Sequence, residues 1–238
     1  MSTDLGAGPA PDGLSDDVHA FEQLARSRRS VRGFLPRPVP RALLDRIFEL
    51  AQRAPSNCNV QPWLVHVASG QTLETLRRAL MEAAASGSAP DSDFPGHLTY
   101  PGLYRDRQVD AARQLYGAMG IERSDIAARN RALLRNFEFF GAPHAAFLFV
   151  PDWAFPREIA DCGMYAQTLM LALKAHGIDS CPQAALSQYA TIVRAILGVD
   201  AGARLLFGIS FGYEDESAPA NRTRVDRQPL DATTRFHD

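Results

Sequence analysis

Four apolar segments of strand length are separated by very unequal stretches of chain, and this spacing constrains the fold most. The segments are 63–68, 145–150, 178–181 and 205–211. Each is short, rich in aliphatic and aromatic residues, and bounded by Gly, Pro or Ser, as buried strands often are. The chain lacks repeated strand–helix units of similar size, which argues against a doubly wound parallel sheet. The sequence therefore predicts an α+β sandwich.

Helical periodicity covers much of the remaining chain. Apolar residues at spacings of three and four predict a core helix over 158–176. Pro40 suits the first turn of a helix that ends before Pro55. Ser187 is predicted to cap a helix that runs through Leu197. Further helical patterns cover 17–28, 72–85, 105–119 and 124–140.

The organisation of the chain indicates one domain, 18–238, preceded by a flexible leader, 1–17. Residues 86–103 form a loop rich in Gly, Ser, Asp and Pro, and it is longer than compact domains usually keep. Together with the two helical patterns that follow, this loop makes an insertion, 86–140, which we interpret as a lid. The last segment, 212–238, contains few apolar residues and would gain little by folding back alone.

Composition argues against several classes of protein. The formal net charge is −2 and the arginines are spread along the chain, which disfavours nucleic acid and anionic membranes as partners. The start of the chain does not resemble a secretory signal, and no apolar stretch has membrane length, so we expect a cytoplasmic protein. The three cysteines lack Cys-x-x-Cys spacing, which indicates reduced thiols. The six histidines lack ligand spacing, so we predict no metal site.

Polar residues suited to a mononucleotide occur near both ends of the domain. Five arginines in two distant clusters offer the forked donors that bind phosphate: Arg28, Arg29, Arg32, Arg222 and Arg224. Hydroxyl and amide groups suited to the edge of a heterocycle follow the first cluster: Ser56, Asn57, Asn59 and Gln61. The alternatives are solvated surface charges and an ordinary turn. Matching chemistry in two distant arginine clusters favours a binding site.

The order of these motifs resembles that of the FMN-dependent nitroreductase family. The resemblance is carried by Arg28-Arg29-Ser30-Val31-Arg32, by Pro-Ser-x-x-Asn-x-Gln-Pro-Trp starting at Pro55, and by Asn221-Arg222-Thr223-Arg224. It implies a nitroreductase-like α/β sandwich whose central, mainly antiparallel sheet is flanked by helices. It also implies an intertwined homodimer, in which each flavin lies between the subunits and 212–238 wraps the partner.

The resemblance further assigns residues to the cofactor. It places Arg28, Arg29, Ser30, Arg32, Arg222 and Arg224 at the FMN phosphate and ribityl chain. It places Pro55, Ser56, Asn57, Asn59 and Gln61 along the ribityl and pyrimidine edge. It carries the backbone of Pro182, Gln183, Ala184 and Ala185 past the reactive edge at N5. Ala184-Ala185 replaces the Glu-Gly of some members, which removes an acid but keeps the backbone contact.

The activity implied is an oxidoreductase that carries hydride from NADH or NADPH through FMN N5 to a nitroaromatic or quinone-type acceptor in ping-pong fashion. The sequence has no dinucleotide-binding glycine motif, so the nicotinamide would share the open face of the flavin, and the flavin rather than a side chain would carry the hydride. The alternatives are enone reduction, dehalogenation, azoline oxidation, flavin destruction and a non-catalytic FMN sensor or store. Tyr104, Phe139 and Phe140 are candidates for contact with the acceptor, although packing is the preferred interpretation of the two phenylalanines.

Overall fold

A four-stranded antiparallel sheet forms the centre of the protein, whose computed structural model describes residues 15–96 and 99–237. The strand order is β1-β2-β4-β3, and every pair of neighbours is antiparallel. The strands are β1 (Leu64–Ser69), β2 (His144–Pro151), β3 (Asp179–Gln183) and β4 (Ala203–Gly212). The predicted α+β class and antiparallel sheet are confirmed.

Helices cover both faces of this sheet. They are α1 (Asp16–Ser27), α2 (Arg41–Ala51), α3 (Gly70–Ala85), α4 (Gly102–Ala118), α5 (Ile126–Leu134), α6 (Pro156–Ala175) and α7 (Ala190–Leu197). Helices α3 and α7 pack on one face, and α2 and α6 pack on the other. The predicted leader ends slightly too late, because α1 already begins at Asp16, and residues 1–14 of it lie outside the described chain.

The central strand β2 shows why the sequence forms two apolar layers. Phe147 and Phe149 point into the cluster beneath α3 and α7, whereas Leu148 and Val150 point into the cluster beneath α2 and α6. Successive strand residues face opposite sides, so a strand buried on both faces is apolar throughout. At the edge of the sheet, Pro182 in β3 is tolerated because an edge strand can leave a backbone donor out of the ladder.

The helix predicted over 124–140 is too long. Helix α5 ends at Leu134, and the chain then makes a 3₁₀ turn at Phe139–Gly141, in which Phe139 and Phe140 have φ angles of 55° and 54°. This sharp turn drives both rings into the core, and burial of two aromatic side chains offsets the cost of a left-handed backbone.

The predicted cap at Ser187 is also wrong. Helix α7 begins at Ala190 with Tyr189 in the capping position. Ser187 instead ends a 3₁₀ turn, where its hydroxyl donates to the carbonyl of Ala184 at 2.9 Å. A serine can satisfy a carbonyl inside a turn as readily as it caps a helix, so local sequence does not separate the two arrangements.

The loop predicted over 86–103 is tied to the body of the domain along its first half. The carboxylate of Asp93 accepts the N–H of Leu205 at 2.7 Å and pairs with Arg194, while the N–H of Asp91 donates to the carbonyl of Gln188 at 2.8 Å. The loop then leads into α4, which begins at Gly102. The lid function of 86–140 stays a prediction, and the first half of its loop is anchored to the domain.

Candidate functional site

The two arginine-bearing segments from opposite ends of the chain lie side by side. The backbone N–H of Arg32 donates to the side-chain oxygen of Asn221 at 2.7 Å, and the Asn221 amide nitrogen donates to the carbonyls of Gly33 and Asp215, each at 2.9 Å. Asn221 is buried, and its bond to Gly33 is fully buried while the other two are partly buried. At Gly33 any side chain would overlap Ala218, which shows how closely the segments approach. The predicted meeting of the two clusters is thus present in one chain.

The first arginine segment runs along the free edge of β3. Ser30 forms a parallel bridge with Ser180, and the N–H of Val31 donates to the Ser180 carbonyl at 3.1 Å. Burial raises the pKa of the neighbouring Cys181 thiol to about 11, although Arg32, the Ser30 hydroxyl and Arg28 act in the opposite direction. Because Arg28, Ser30 and Arg32 all affect the pKa of Cys181, their side chains lie close to the start of β3.

Arg28 forms no salt bridge with any carboxylate of the described residues. Its pKa is lowered from the ordinary value by burial and by the positive charge of Arg227. Within residues 15–96 and 99–237, no carboxylate forms a salt bridge with Arg28, Arg32, Arg222 or Arg224. Arg32 and Arg224 donate to backbone carbonyls of Ser30 and Asn221 instead. Guanidinium groups without counter-ions on two neighbouring segments are favourable partners for an anion such as phosphate.

Arg29 differs from the other arginines of the cluster. It forms a salt bridge with Glu214, so one side of its guanidinium is already neutralised. Its other terminal nitrogen, Nη1, is buried and has no hydrogen-bond partner in the part of the chain that the structure describes. A buried charged donor without an acceptor is costly, and a phosphate or carbonyl oxygen at this position would satisfy it. Arg29 therefore offers one nitrogen, rather than a whole fork, to a ligand.

The predicted N5 segment, 182–185, is exposed at two of its four residues. Pro182 and Ala184 are exposed, and Ala184 starts the 3₁₀ turn Ala184–Ser187. Gln183 is buried. Its side-chain nitrogen donates to the carbonyl and side-chain oxygens of Asn136 at 3.0 and 3.2 Å, and its side-chain oxygen accepts from the Ser210 hydroxyl. Pro182 and Ala184 are therefore the residues of this segment that have surface available to a cofactor.

The amide loop, residues 55–61, has an unusual backbone. Cys58, Asn59 and Gln61 have φ angles of 49°, 57° and 49°, a region that residues other than glycine seldom occupy. The Ser56 hydroxyl accepts the N–H of Gln61 at 3.0 Å, which closes the loop. The amide side chains of Asn57, Asn59 and Gln61 are exposed. Backbone strain of this kind is common at ligand sites.

Asp161 of α6 holds this loop, and the sequence did not indicate this residue. Its carboxylate is 4% exposed and accepts the N–H of Asn57 at 3.1 Å. The signal available in sequence was a single acid inside the apolar pattern of α6, which by itself is consistent with a solvated position. Only the packing of α6 against the loop shows that Asp161 binds the loop backbone and is not a solvated acid.

The amide loop and the arginine cluster lie far apart within one chain. The loop leads into Leu64 at the start of β1, whereas the level of Ser180 in β3 corresponds, strand by strand, to Ser69 at the end of β1. These positions are diagonally opposite corners of the sheet, and strand spacings of about 4.8 Å and rises of about 3.3 Å put them roughly 22 Å apart. One chain does not supply the expected amide floor beside its own arginines.

The three aromatic candidates have different positions. Phe139 is completely buried and packs edge-on against Phe147, so it offers no surface to an acceptor, as the packing interpretation expects. Phe140 is 5% exposed and lines a cavity of ≈ 220 Å³ together with Arg32. Tyr104 is exposed on the first turn of α4, where Arg107 lies over its ring.

The residues of the cluster fit FMN better than they fit a metal or a membrane. Unpaired guanidinium groups suit its phosphate, the orphaned Nη1 of Arg29 lacks an acceptor, and the exposed amides suit a heterocycle. In the part of the chain that the structure describes, three or more His, Cys, Asp or Glu side chains nowhere gather as metal ligands would. Across the same residues, each helix is too short or too polar to cross a bilayer.

Comparison with known proteins gives concordant results. The family model described as Nitroreductase family matches residues 25–213. The nitroreductase NfnB of Mycolicibacterium smegmatis is 46% identical over 228 residues, which cover 95% of this chain and 97% of the relative. A 4-nitrobenzoate reductase of Pseudomonas putida is 35% identical over 224 residues, covering 94% and 96%.

The same relationship is seen in three dimensions. The crystal structure of the FMN-dependent nitroreductase NfnB from Mycobacterium smegmatis in complex with NADPH matches with a TM-score of 0.90 and 46% identity, covering 94% of this chain and 100% of that chain. The family model spans more than half of the chain. This chain therefore belongs to the nitroreductase family.

Proposed function

We propose that this protein is an FMN-dependent oxidoreductase that uses NADPH or NADH to reduce nitroaromatic compounds. The observation that carries the proposal is that the N-terminal segment, which contains Arg28 and Arg32, lies beside the C-terminal segment, which contains Arg222, and that Asn221 joins the two by hydrogen bonds next to β3. The relatives named above, an FMN-dependent nitroreductase solved with NADPH and a 4-nitrobenzoate reductase, support both the cofactor and the acceptor class.

The geometry of β3 supports an orientation for the flavin. The phosphate and ribityl chain bind at Arg28, Ser30, Arg32, Arg222 and Arg224, near the start of the strand. The ring would then be held near Pro182 and Ala184, the exposed residues at the other end of the strand, about 13 Å further along. Bound FMN would supply the hydride-transfer chemistry between a reduced nicotinamide and an electron-poor acceptor, while the chain's own residues would bind and orient it. Each two-electron turnover consumes one reduced nicotinamide, one proton and one nitro group, and yields oxidised nicotinamide, a nitroso group and water.

A homodimer completes the site. The amide loop leads into β1 at Leu64, which lies roughly 22 Å from Ser180 beside the arginine segment of the same chain, and a symmetric dimer brings one subunit's loop to the other subunit's arginines. Each flavin then contacts both chains. Asp161 positions the loop that the partner's flavin meets.

The open edge of β1 supports the same assembly. Leu64 and Val67 of this strand are 42% and 41% exposed, and a groove of ≈ 710 Å³ runs between β1 and α2. The C-terminal segment, 212–238, exposes Leu230 and Phe236 at 64% and 80%. A strand at the edge of a sheet leaves backbone groups unpaired on its outer side, and exposed apolar side chains there favour docking of another chain. The C-terminal arm of one subunit covers this groove on the other.

The chemistry of the thiols supports a reducing compartment. Cys58, Cys162 and Cys181 are free, and burial raises the pKa of Cys162 to about 12, so that thiol is held protonated. A chain with three unpaired thiols is suited to the cytoplasm. We therefore propose a cytoplasmic enzyme.

The decisive experiment follows the colour of the flavin. Protein reconstituted with FMN is mixed with NADPH or NADH under anaerobic conditions in a stopped-flow instrument, and a nitroarene or a quinone is then added. We expect bleaching by the nicotinamide and recolouring by the acceptor. A bound flavin whose absorbance changes with neither reagent indicates a flavin sensor or store. Protein that binds no FMN refutes the cofactor assignment. Recolouring by quinone alone shifts the acceptor class to quinones.

A further inference from the structure

The ≈ 220 Å³ cavity between the insertion helices and the arginine cluster has the lining of a site for an anionic aromatic molecule. Its apolar wall includes Leu115, Met119 and Phe140, and its polar groups are Arg32, Arg135 and Asn136. This volume suits a one-ring molecule, since sites for larger drug-sized ligands usually exceed about 300 Å³. Among the described residues that line it, none is acidic.

The charge of Arg135 is weakly neutralised. The nearest carboxylate in contact is that of Glu138, 4.0 Å away, and the two side chains are 34% and 47% exposed. An ion pair at this distance and exposure contributes little. The Arg135 guanidinium lies over the ring of Phe140 at 5.9 Å, which directs it along the cavity wall. The group is therefore available to a carboxylate.

The cavity adjoins the proposed flavin position. Asn136 lines it and also holds the side chain of Gln183, the residue directly before the exposed backbone at Ala184. Arg32 lines the other side and belongs to the arginine cluster. A molecule in the cavity thus lies between the insertion helices and the strip of β3 along which we place the flavin.

We propose that this cavity selects nitroaromatic acceptors that carry a carboxylate, and that Arg135 is the residue that recognises this group. The inference rests on the proposed function and deepens it, because it divides nitroaromatic acceptors into charged and neutral ones. A planar guanidinium binds a carboxylate through two parallel hydrogen bonds, and the apolar wall packs against the ring. Neutral nitroarenes pack against the same apolar wall but form no ion pair with Arg135.

The test compares 4-nitrobenzoate with 4-nitrobenzamide, which has nearly the same shape and no charge. Steady-state kinetics are measured for the FMN-loaded wild type, Arg135→Gln, Arg135→Lys and the control Arg131→Gln, whose side chain is exposed on the same helix and outside the cavity. We expect Arg135→Gln to raise the KM for 4-nitrobenzoate about ten- to a hundred-fold, the range of a charged hydrogen bond, and to change kcat little. The KM for 4-nitrobenzamide changes less than about two-fold.

The remaining variants separate the explanations. Arg135→Lys keeps the charge without the fork, so it recovers part of the preference for 4-nitrobenzoate, and Arg131→Gln behaves as the wild type. Equal loss of activity toward both compounds in Arg135→Gln overturns the inference, as does loss of FMN affinity, which would place Arg135 at the flavin. Failure of the wild type to reduce either compound despite normal bleaching by NADPH refutes the proposed function instead.

Discussion

The side-chain oxygen of Asn221 accepts the backbone N–H of Arg32 at 2.7 Å, across 189 residues of chain. This hydrogen bond and the two that Asn221 donates to Gly33 and Asp215 hold the C-terminal arginines beside the N-terminal ones. Asn221, an uncharged residue, thus joins the segment that contains Arg32 to the segment that contains Arg222 and Arg224.

Replacement of Asn221 by alanine is expected to lower the free energy of unfolding by about 2–4 kcal/mol, because three buried or partly buried hydrogen bonds of about 1 kcal/mol each are lost. FMN affinity falls as well, since the arginine segments separate. Urea denaturation and flavin fluorescence measure the two effects. Thr223→Ala, which removes one local bond to Ala220, is the control and costs at most about 1 kcal/mol. Equal losses in the two variants would count against the role of Asn221.

Arg28→Ala and Arg222→Ala are each expected to weaken FMN binding by about 1.5–3 kcal/mol, the range for a charged hydrogen bond. The dissociation constant is obtained from the recovery of flavin fluorescence on dilution. Arg26→Ala is the matched control, because that side chain is 81% exposed on the last turn of α1. Unchanged flavin retention in both test variants contradicts the phosphate clamp.

Asp161→Ala is expected to weaken FMN binding about ten-fold, because the amide loop loses the carboxylate that fixes the N–H of Asn57. Asp161→Asn keeps an acceptor oxygen in the same place and retains most of the affinity. Glu158→Ala serves as the control, since this acid accepts the N–H of Phe155 on the same helix, away from the loop. If alanine and asparagine at position 161 have the same effect, charge rather than loop position is responsible.

Stability is expected to fall in mild acid because of His144. Its Nε2 accepts the N–H of Val39 at 2.9 Å, its Nδ1 lies 2.5 Å from the hydroxyl of Ser69, and burial lowers its pKa from 6.5. The unfolded chain therefore binds more protons below about pH 6.5, and the stability due to the neutral ring is lost as the pH falls from there toward the folded pKa. The slope reaches at most about 1.4 kcal/mol per pH unit.

Denaturant unfolding between pH 7.5 and pH 5 tests this expectation. The stability difference between the wild type and His144→Gln is expected to narrow as the pH falls, because the variant has no ring to protonate. Phe48→Leu removes a non-titrating side chain from the same cluster, and its difference from the wild type stays constant with pH. A constant difference for His144→Gln as well would refute the linkage.

Tyr165→Phe is expected to increase the free energy of unfolding by about 1 kcal/mol. The Tyr165 hydroxyl is buried without a hydrogen-bond partner among the described residues, and burial raises its pKa to about 12. The ring itself stacks on Trp63 at 5.0 Å, so Tyr165→Leu is the contrasting variant and is destabilising. Thermal unfolding distinguishes them, and a destabilised Tyr165→Phe would reveal a partner for the hydroxyl.

Strong periodicity made most elements predictable. The pattern over 158–176 corresponds to α6 (Pro156–Ala175), and the apolar segment 145–150 corresponds to β2 (His144–Pro151). The failures occurred where side chains outweigh backbone preference. Phe139 and Phe140 break a helical pattern because their rings enter the core, and Ser187 closes a turn that resembles a helix start. Neither effect is visible without the neighbouring elements.

Residue types and their order along the chain were sufficient to indicate the α+β class, the arginine clusters and the family resemblance, because these depend on local periodicity and on the chemistry of side chains. Tertiary structure alone decided which groups meet. It joined Arg32 to Asn221, separated both from the amide loop by the width of the sheet, and brought Arg135 to the wall of a cavity. Contacts between distant residues depend on how the layers pack, and local sequence does not encode that geometry residue by residue.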